Sequence, residues 1–215
     1  MLAAALPHFL PAAAIIPIHT AVQIFSNSSR AVFGWQSIHW GFVREHLLGS
    51  LIGIALAYTL LANLNLSYLP AIIGIYILVH TWSKSISNLL SRFESFYILG
   101  GLQTGVALLV GAPGPIPLPL LIKKLADHHK VVCTMAMFMT SGHMLKMGVF
   151  VWADFNFLEY WMEILTMIIT AIFGSYIGTR LRHRFSSEQY LWIAKLLLTI
   201  LAIAAILKAP FIGLI

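Results

Sequence analysis

Two stretches of this 215-residue chain carry polar and ionisable side chains at helical spacing inside otherwise apolar sequence. The first reads His19-Thr-Ala-Val-Gln23-Ile-Phe-Ser-Asn27-Ser-Ser-Arg30. Intervals of 4, 4 and 3 residues put His19, Gln23, Asn27 and Arg30 on one helical face. The second carries Thr140, His143 and Lys146, again on one face. A cation near the centre of a bilayer costs at least ~2.5–3.5 kcal/mol, so something must offset it. No Asp or Glu stands within two helical turns of Arg30 on its own segment, and Lys146 comes nearest to Asp154, past the end of its helix. The chemistry this predicts is recognition of an anion. Arg30 and Lys146 neutralise it, while Asn27, His143, Gln23, His19 and Thr140 hydrogen-bond its oxygens. His143 adds a group that can couple binding to protons. The competing readings are cations that snorkel to the interface, and His19 and Gln23 as hydrogen-bond glue between helices.

Composition says what surrounds these residues. Hydrophobic residues make up 60% of the chain and Asp, Glu, Lys and Arg only 9%. Soluble domains run near 45–50% apolar and about 25% charged. With a mean hydropathy of +0.89, the chain reads as an integral membrane protein of the multi-pass, cell-membrane kind. The net charge of +6 then reflects loop charges and an anionic ligand rather than nucleic acid. The single cysteine, Cys133, allows no disulfide within the chain and no cysteine-based metal site. Phosphate-binding, dinucleotide and zinc-protease motifs are missing, so no enzyme activity, metal or cofactor is expected. The opening residues lack the basic segment of a signal peptide.

Spans of about 20 apolar residues must carry the two polar faces. The sequence divides into about seven helical segments, near 13–36, 42–63, 67–83, 95–112, 131–151, 161–180 and 189–207. Trp35, Trp40, Trp82, Trp152, Trp161 and Trp192 fall near their ends, as interfacial anchors do. The run Gly111-Ala-Pro-Gly-Pro-Ile-Pro-Leu-Pro119 holds four prolines and two glycines and breaks the fourth segment. At membrane depth such backbone lines a cavity or is buried in protein. Gly111, Pro113 and Gly114 are therefore expected to face the substrate, with freed backbone N–H groups aimed at it. If all seven segments cross, 113–130 and 180–188 share a side and carry six cations against four opposite, which makes that side cytoplasmic. Leu48-Gly-Ser-Leu-Ile-Gly53 resembles Phe173-Gly-Ser-Tyr-Ile-Gly178, and the two polar helices align on Arg30 and Lys146. The expected architecture is thus an all-α transmembrane bundle of two repeat-related halves, 1–90 and 91–215.

Three features together resemble the TauE/SafE sulfite exporter family, also known as the 4-toluene sulfonate uptake permeases. They are the Pro17-x-His19…Gln23…Asn27…Arg30 helix, the Gly101-x-x-x-Gly105…Gly111-Ala-Pro-Gly-Pro115 break, and Thr134…His143-x-x-Lys146 followed by Gly174-x-x-x-Gly178 and a basic turn at Arg180 to Arg184. The resemblance implies a membrane permease that moves sulfite, an organosulfonate or a related sulfur-containing anion, by secondary transport. It also implies a Gly-rich element ahead of the first polar helix, of which the opening residues resemble only the tail. A remnant or subunit that needs a partner is the alternative function, and an intramembrane enzyme or sulfur-carrier partner a more distant one. The partners expected are a small anion, the lipid bilayer and, as a candidate, a second copy of the chain.

Overall fold

The computed structural model describes residues 6, 9–63, 68–83, 92–111, 113–181 and 187–207. Eight α-helices account for nearly all of them, and no strand occurs among the described residues. In chain order they are α1 (Ala12–Phe33), α2 (Trp40–Ala62), α3 (Leu69–Trp82), α4 (Phe96–Val110), α5 (Leu118–Lys124), α6 (His128–Trp152), α7 (Trp161–Leu181) and α8 (Ser187–Leu207). Each expected segment has its helix, with ends that differ by a few residues. Among the described residues one helix, across Phe157–Gly174, is long and apolar enough to cross a membrane by the usual measure of length and hydropathy. The polar faces of α1 and α6 lower the mean hydropathy of those longer helices.

Local chemistry sets the ends. Asp127 caps α6 by accepting a hydrogen bond from the His129 N–H at 2.8 Å. Asn156 does the same for the Leu158 N–H at 3.1 Å, in the short turn that leads into α7. Gly111 ends α4 with φ 79°, a left-handed conformation that glycine adopts without steric cost, and its N–H closes the helix on the Ala107 carbonyl at 2.9 Å.

The closest packing joins α2 to α4. A Cβ on Gly49, Gly53 or Gly100 would fall on the backbone of Tyr97, Gly101 or His46 respectively. These pairings advance in the same sense along both helices, so α2 and α4 run parallel. Phe96 on Phe138, Thr104 on Gly142 and Ala107 near Lys146 show that α6 runs the same way. The glycines therefore let α2 and α4 meet along their backbones, while α6 joins them through side chains such as Thr104 and Phe138.

One expectation fails here. Residues 113–130 were to lie across the membrane from the start of α4. Instead α4 and α5 form a hairpin that enters and returns at one end. Lys123, in the last turn of α5, makes an ion pair with Glu94, just ahead of α4. Ile116, Leu120 and Leu121 pack in one cluster with Phe96 and Leu99. Four prolines make the break a place where the chain turns back, not a loop between two spans.

Two apolar clusters divide the interior. One, around Phe96, Leu121 and Phe138, lies toward the end where α2, α4 and α6 begin. The other, around Ile15, Ile73, Leu108 and Phe150, lies toward the opposite end.

Candidate anion-binding site

Between the two clusters the interior is polar. His19, Thr20, Gln103, Thr104, Thr140, Ser141, His143 and Lys146 are all buried there. The layer draws on α1, α4 and α6.

Lys146 is 1% exposed. Its ammonium donates to the Gly111 carbonyl at 3.1 Å and to the Ala107 carbonyl at 3.4 Å. Ala107 is in the last turn of α4 and Gly111 is its C-cap, at the negative end of the helix dipole. The interaction explains how a buried cation is tolerated without a carboxylate. It also corrects the expected role of the break. The helix end that faces Lys146 is a C-terminus, so it offers carbonyl oxygens rather than N–H donors. Beyond it, Pro113, Pro115, Pro117 and Pro119 have no N–H to give. The break holds the cation through these carbonyls.

The two polar faces approach each other at one pair of rings. The His19 and His143 rings lie 5.9 Å apart, centroid to centroid. Nδ1 of each is buried with no hydrogen-bond partner, and so is Thr20 Oγ1. Unpartnered buried polar atoms are rare, and each of these three calls for an explanation. On α1, Gln23 lies 3.3 Å from His19 Nε2 and Asn27 donates to Gln23 Oε1 at 3.2 Å, so this face is a ladder within one helix. Thr140 donates to its own helix, at the Ala136 carbonyl, 2.8 Å away.

The structure does not bring Arg30 to the layer. Arg30 is exposed in the last turn of α1, toward the end where α2, α4 and α6 begin. Its spacing from His19 is helical, but eleven residues carry it about 16 Å along the axis. The expected pair of buried cations is one buried cation, Lys146.

A cavity of about 10 Å³ lies against Lys146, lined by His143, Gly142, Met139, Thr104, Gln103 and Pro113 among others. It has room for about one water molecule. Pro113 is part of this lining, Gly111 reaches Lys146 through its carbonyl, and Gly111 and Gly114 both lie outside the lining. Tyr76 of α3 donates its hydroxyl to the Pro113 carbonyl at 2.5 Å and ties the break to the bundle. Gln103 and Thr104 were not expected from the sequence. Their one signal was polarity in an otherwise apolar run of 95–110. His46 and Ser50, which bond to them from α2, gave no signal beyond their residue types.

The repeat motif finds two different settings. Gly49 and Gly53 are pressed against α4, whereas a Cβ on Gly174 would meet nothing within 4 Å.

Comparison with curated proteins and with solved structures gave no match. The model of the sulfite exporter TauE/SafE family matches residues 1–206 of the 215. A match over nearly the whole chain, on an all-helical fold with a glycine break at its buried cation, places this protein in the sulfite exporter TauE/SafE family of membrane transporters.

Proposed function

We propose that this protein is a secondary transporter that moves a small sulfur-containing anion, such as sulfite or an organosulfonate, across the cell membrane in which it is a multi-pass protein. The observation that carries this is Lys146. It is a buried cation bonded only to carbonyls, beside two histidines whose Nδ1 atoms have no partner. Two of its three ammonium protons go to α4, and the third is left for an anion. His143 lines the same cavity and supplies a second donor.

The cavity of about 10 Å³ is too small for an oxyanion with several heavy atoms, so the layer is closed in this conformation. Entry requires a wall to move. The break beyond Gly111 is the wall with the fewest backbone bonds, and Pro113 is part of it.

Flux of radiolabelled sulfite and of a sulfonate into proteoliposomes tests the reading. Lys146→Gln keeps two donor hydrogens and a comparable length but loses the charge. It should abolish flux while the protein still purifies as a folded species. Flux of both anions at the wild-type rate in Lys146→Gln would sink the proposal.

A further inference from the structure

Behind the cavity wall a buried polar chain runs from His46 and Ser50 to the cavity-lining Gln103 and Thr104. His46 is 0% exposed and stacks on Phe138, with ring centroids 4.2 Å apart. Its Nε2 lies 3.3 Å from Gln103 Oε1, and its Nδ1 lies 3.4 Å from Ser50 Oγ. Ser50 Oγ is also 3.2 Å from the Gly100 carbonyl and 2.7 Å from Thr104 Oγ1. The Gln103 amide nitrogen faces Met139 Sδ.

Counting protons gives each bond a direction. The Met139 sulfur accepts, so Gln103 turns its N–H to it and its carbonyl to His46. His46 must then carry its proton on Nε2, which leaves Nδ1 an acceptor. Ser50 therefore has two acceptors before it, Nδ1 and the Gly100 carbonyl, and one proton to give them. Toward Thr104 it can only accept, so Thr104 donates. The Thr104 hydroxyl spends its one proton on Ser50 and shows the cavity only lone pairs.

Charge adds a second constraint. Among the described residues Lys146 is the buried lysine, and no Arg, Asp or Glu is buried. With His19 and His143 neutral, a charged Lys146 balances one negative charge, and a second would sit buried without a partner.

We propose, on the basis of the anion-site reading above, that the cavity selects a singly charged oxyanion bearing a hydroxyl, with Thr104 accepting that hydroxyl's hydrogen bond. For a sulfur oxyacid this is hydrogensulfite rather than the sulfite dianion. The dianion brings an unbalanced charge and sets an oxygen against the Thr104 lone pairs. A sulfonate matches the charge but places carbon against Thr104, leaving a buried acceptor unpaired.

Calorimetric titration of the purified full chain with hydrogensulfite, methanesulfonate and sulfate tests this, at a pH below the ionisation of hydrogensulfite. The wild type should bind hydrogensulfite about tenfold more tightly than methanesulfonate, the ratio one buried hydrogen bond supports, and sulfate not measurably. Thr104→Val should bring the two singly charged anions to equal affinity. Ser50→Ala frees the Thr104 proton to turn into the cavity. Methanesulfonate should then bind more tightly and the gap to hydrogensulfite should close, because both anions offer an oxygen to a donating Thr104, whereas simple structural damage weakens both. Sulfate binding as tightly as hydrogensulfite, or an anion ratio unchanged in both variants, overturns the proposal. Failure of the wild type to bind any of the three, or binding that survives Lys146→Gln, is instead a failure of the anion-site reading and takes this proposal with it.

Discussion

A buried lysine held by helix-end carbonyls is a compromise between two demands. The carbonyl dipoles of Ala107 and Gly111 make the charge tolerable but leave it unneutralised, as the proposed anion carrier requires. A carboxylate in their place would form a closed ion pair with no use for a ligand. The same logic gives Gln103 its role. His46 takes the Gln103 carbonyl, so the amide N–H2 is the part of Gln103 turned to the wall that Met139 shares. Replacing His46 by Phe keeps the stack on Phe138 and lets the amide turn its oxygen inward. Anion affinity should fall about tenfold, in proportion to one lost hydrogen bond. In Gln103→Met the His46→Phe change should then cost little more, because both act through one group. A double-mutant cycle by titration reads this coupling, and additive losses would refute it. The contrast with Arg30 shows how far spacing carries. His19, His143 and Lys146 were legible because an i, i+3, i+4 stripe states which face is polar. Arg30 continues its stripe, yet it lies beyond the depth of the layer, because periodicity gives a face and not a depth. Gln103 and Thr104 were not legible because their partners lie on α2 and α6, far away in sequence.

Helices are brought to this layer by glycine. The crossing of α2 and α4 has no room for a side chain at Gly100, whose Cβ would strike the carbonyl of His46. Gly100→Ala should therefore destabilise the protein by about 1–3 kcal/mol or more, the usual cost of overpacking, and should displace His46 as well. Gly148 lies on the exposed face of α6 with nothing within 4 Å of its Cβ position. Gly148→Ala should be neutral or stabilise by up to about 1 kcal/mol through helix propensity. Thermal melts of the two variants side by side decide this, and equal losses would show that backbone contact is not the cause. The hairpin of α4 and α5 is closed at its mouth by Glu94 and Lys123, both well exposed. The hydrogen bond and charge of Lys123 hold the Glu94 carboxyl below its ordinary value. A lowered carboxyl stabilises the folded state above the ordinary carboxylate range, and that contribution disappears as pH falls through the lowered value. Melting curves of wild type and Glu94→Gln should differ slightly at neutral pH and low salt, and coincide in acid or in high salt. A gap that persists in acid would mean that Glu94 acts through something other than its charge. The break itself was plain in the sequence, since four prolines allow no helix. Its direction of travel was not, because proline content says that a chain turns but not where it goes next.

At the scale of the molecule, the hairpin changes the balance of charge between the two ends. With 95–112 taken as a full span, the sequence divides its loop cations six to four. With α4 and α5 turning back, Arg30, Arg44, Arg92, Lys123, Lys124 and Lys130 all lie toward one end of the described structure. Glu45, Glu94 and Asp127 share that end, and Asp154, Glu159 and Glu163 lie toward the other, where α6 ends and α7 begins, so it is the lysines and arginines that distinguish the two ends. Cations concentrate on the cytoplasmic side of membrane proteins, so the end with the hairpin mouth should face the cytoplasm. The buried polar layer would then be reached from that side past α5, the short helix that packs against Phe96 and Leu99. Single cysteines introduced into a Cys133→Ala background separate the two topologies. Arg92→Cys and Lys124→Cys bracket the hairpin, and Asp154→Cys marks the opposite end. A membrane-impermeant maleimide added outside intact cells should label Asp154→Cys and spare the other two, and permeabilised cells should label all three. If the fourth segment crossed the membrane, positions 92 and 124 would respond from opposite sides, and the hairpin would be excluded. If both were labelled from outside while 154 was protected, the hairpin would stand and the orientation would reverse. The closed cavity would then open to the exterior, which would turn a route suited to loading from the cytoplasm into one suited to uptake.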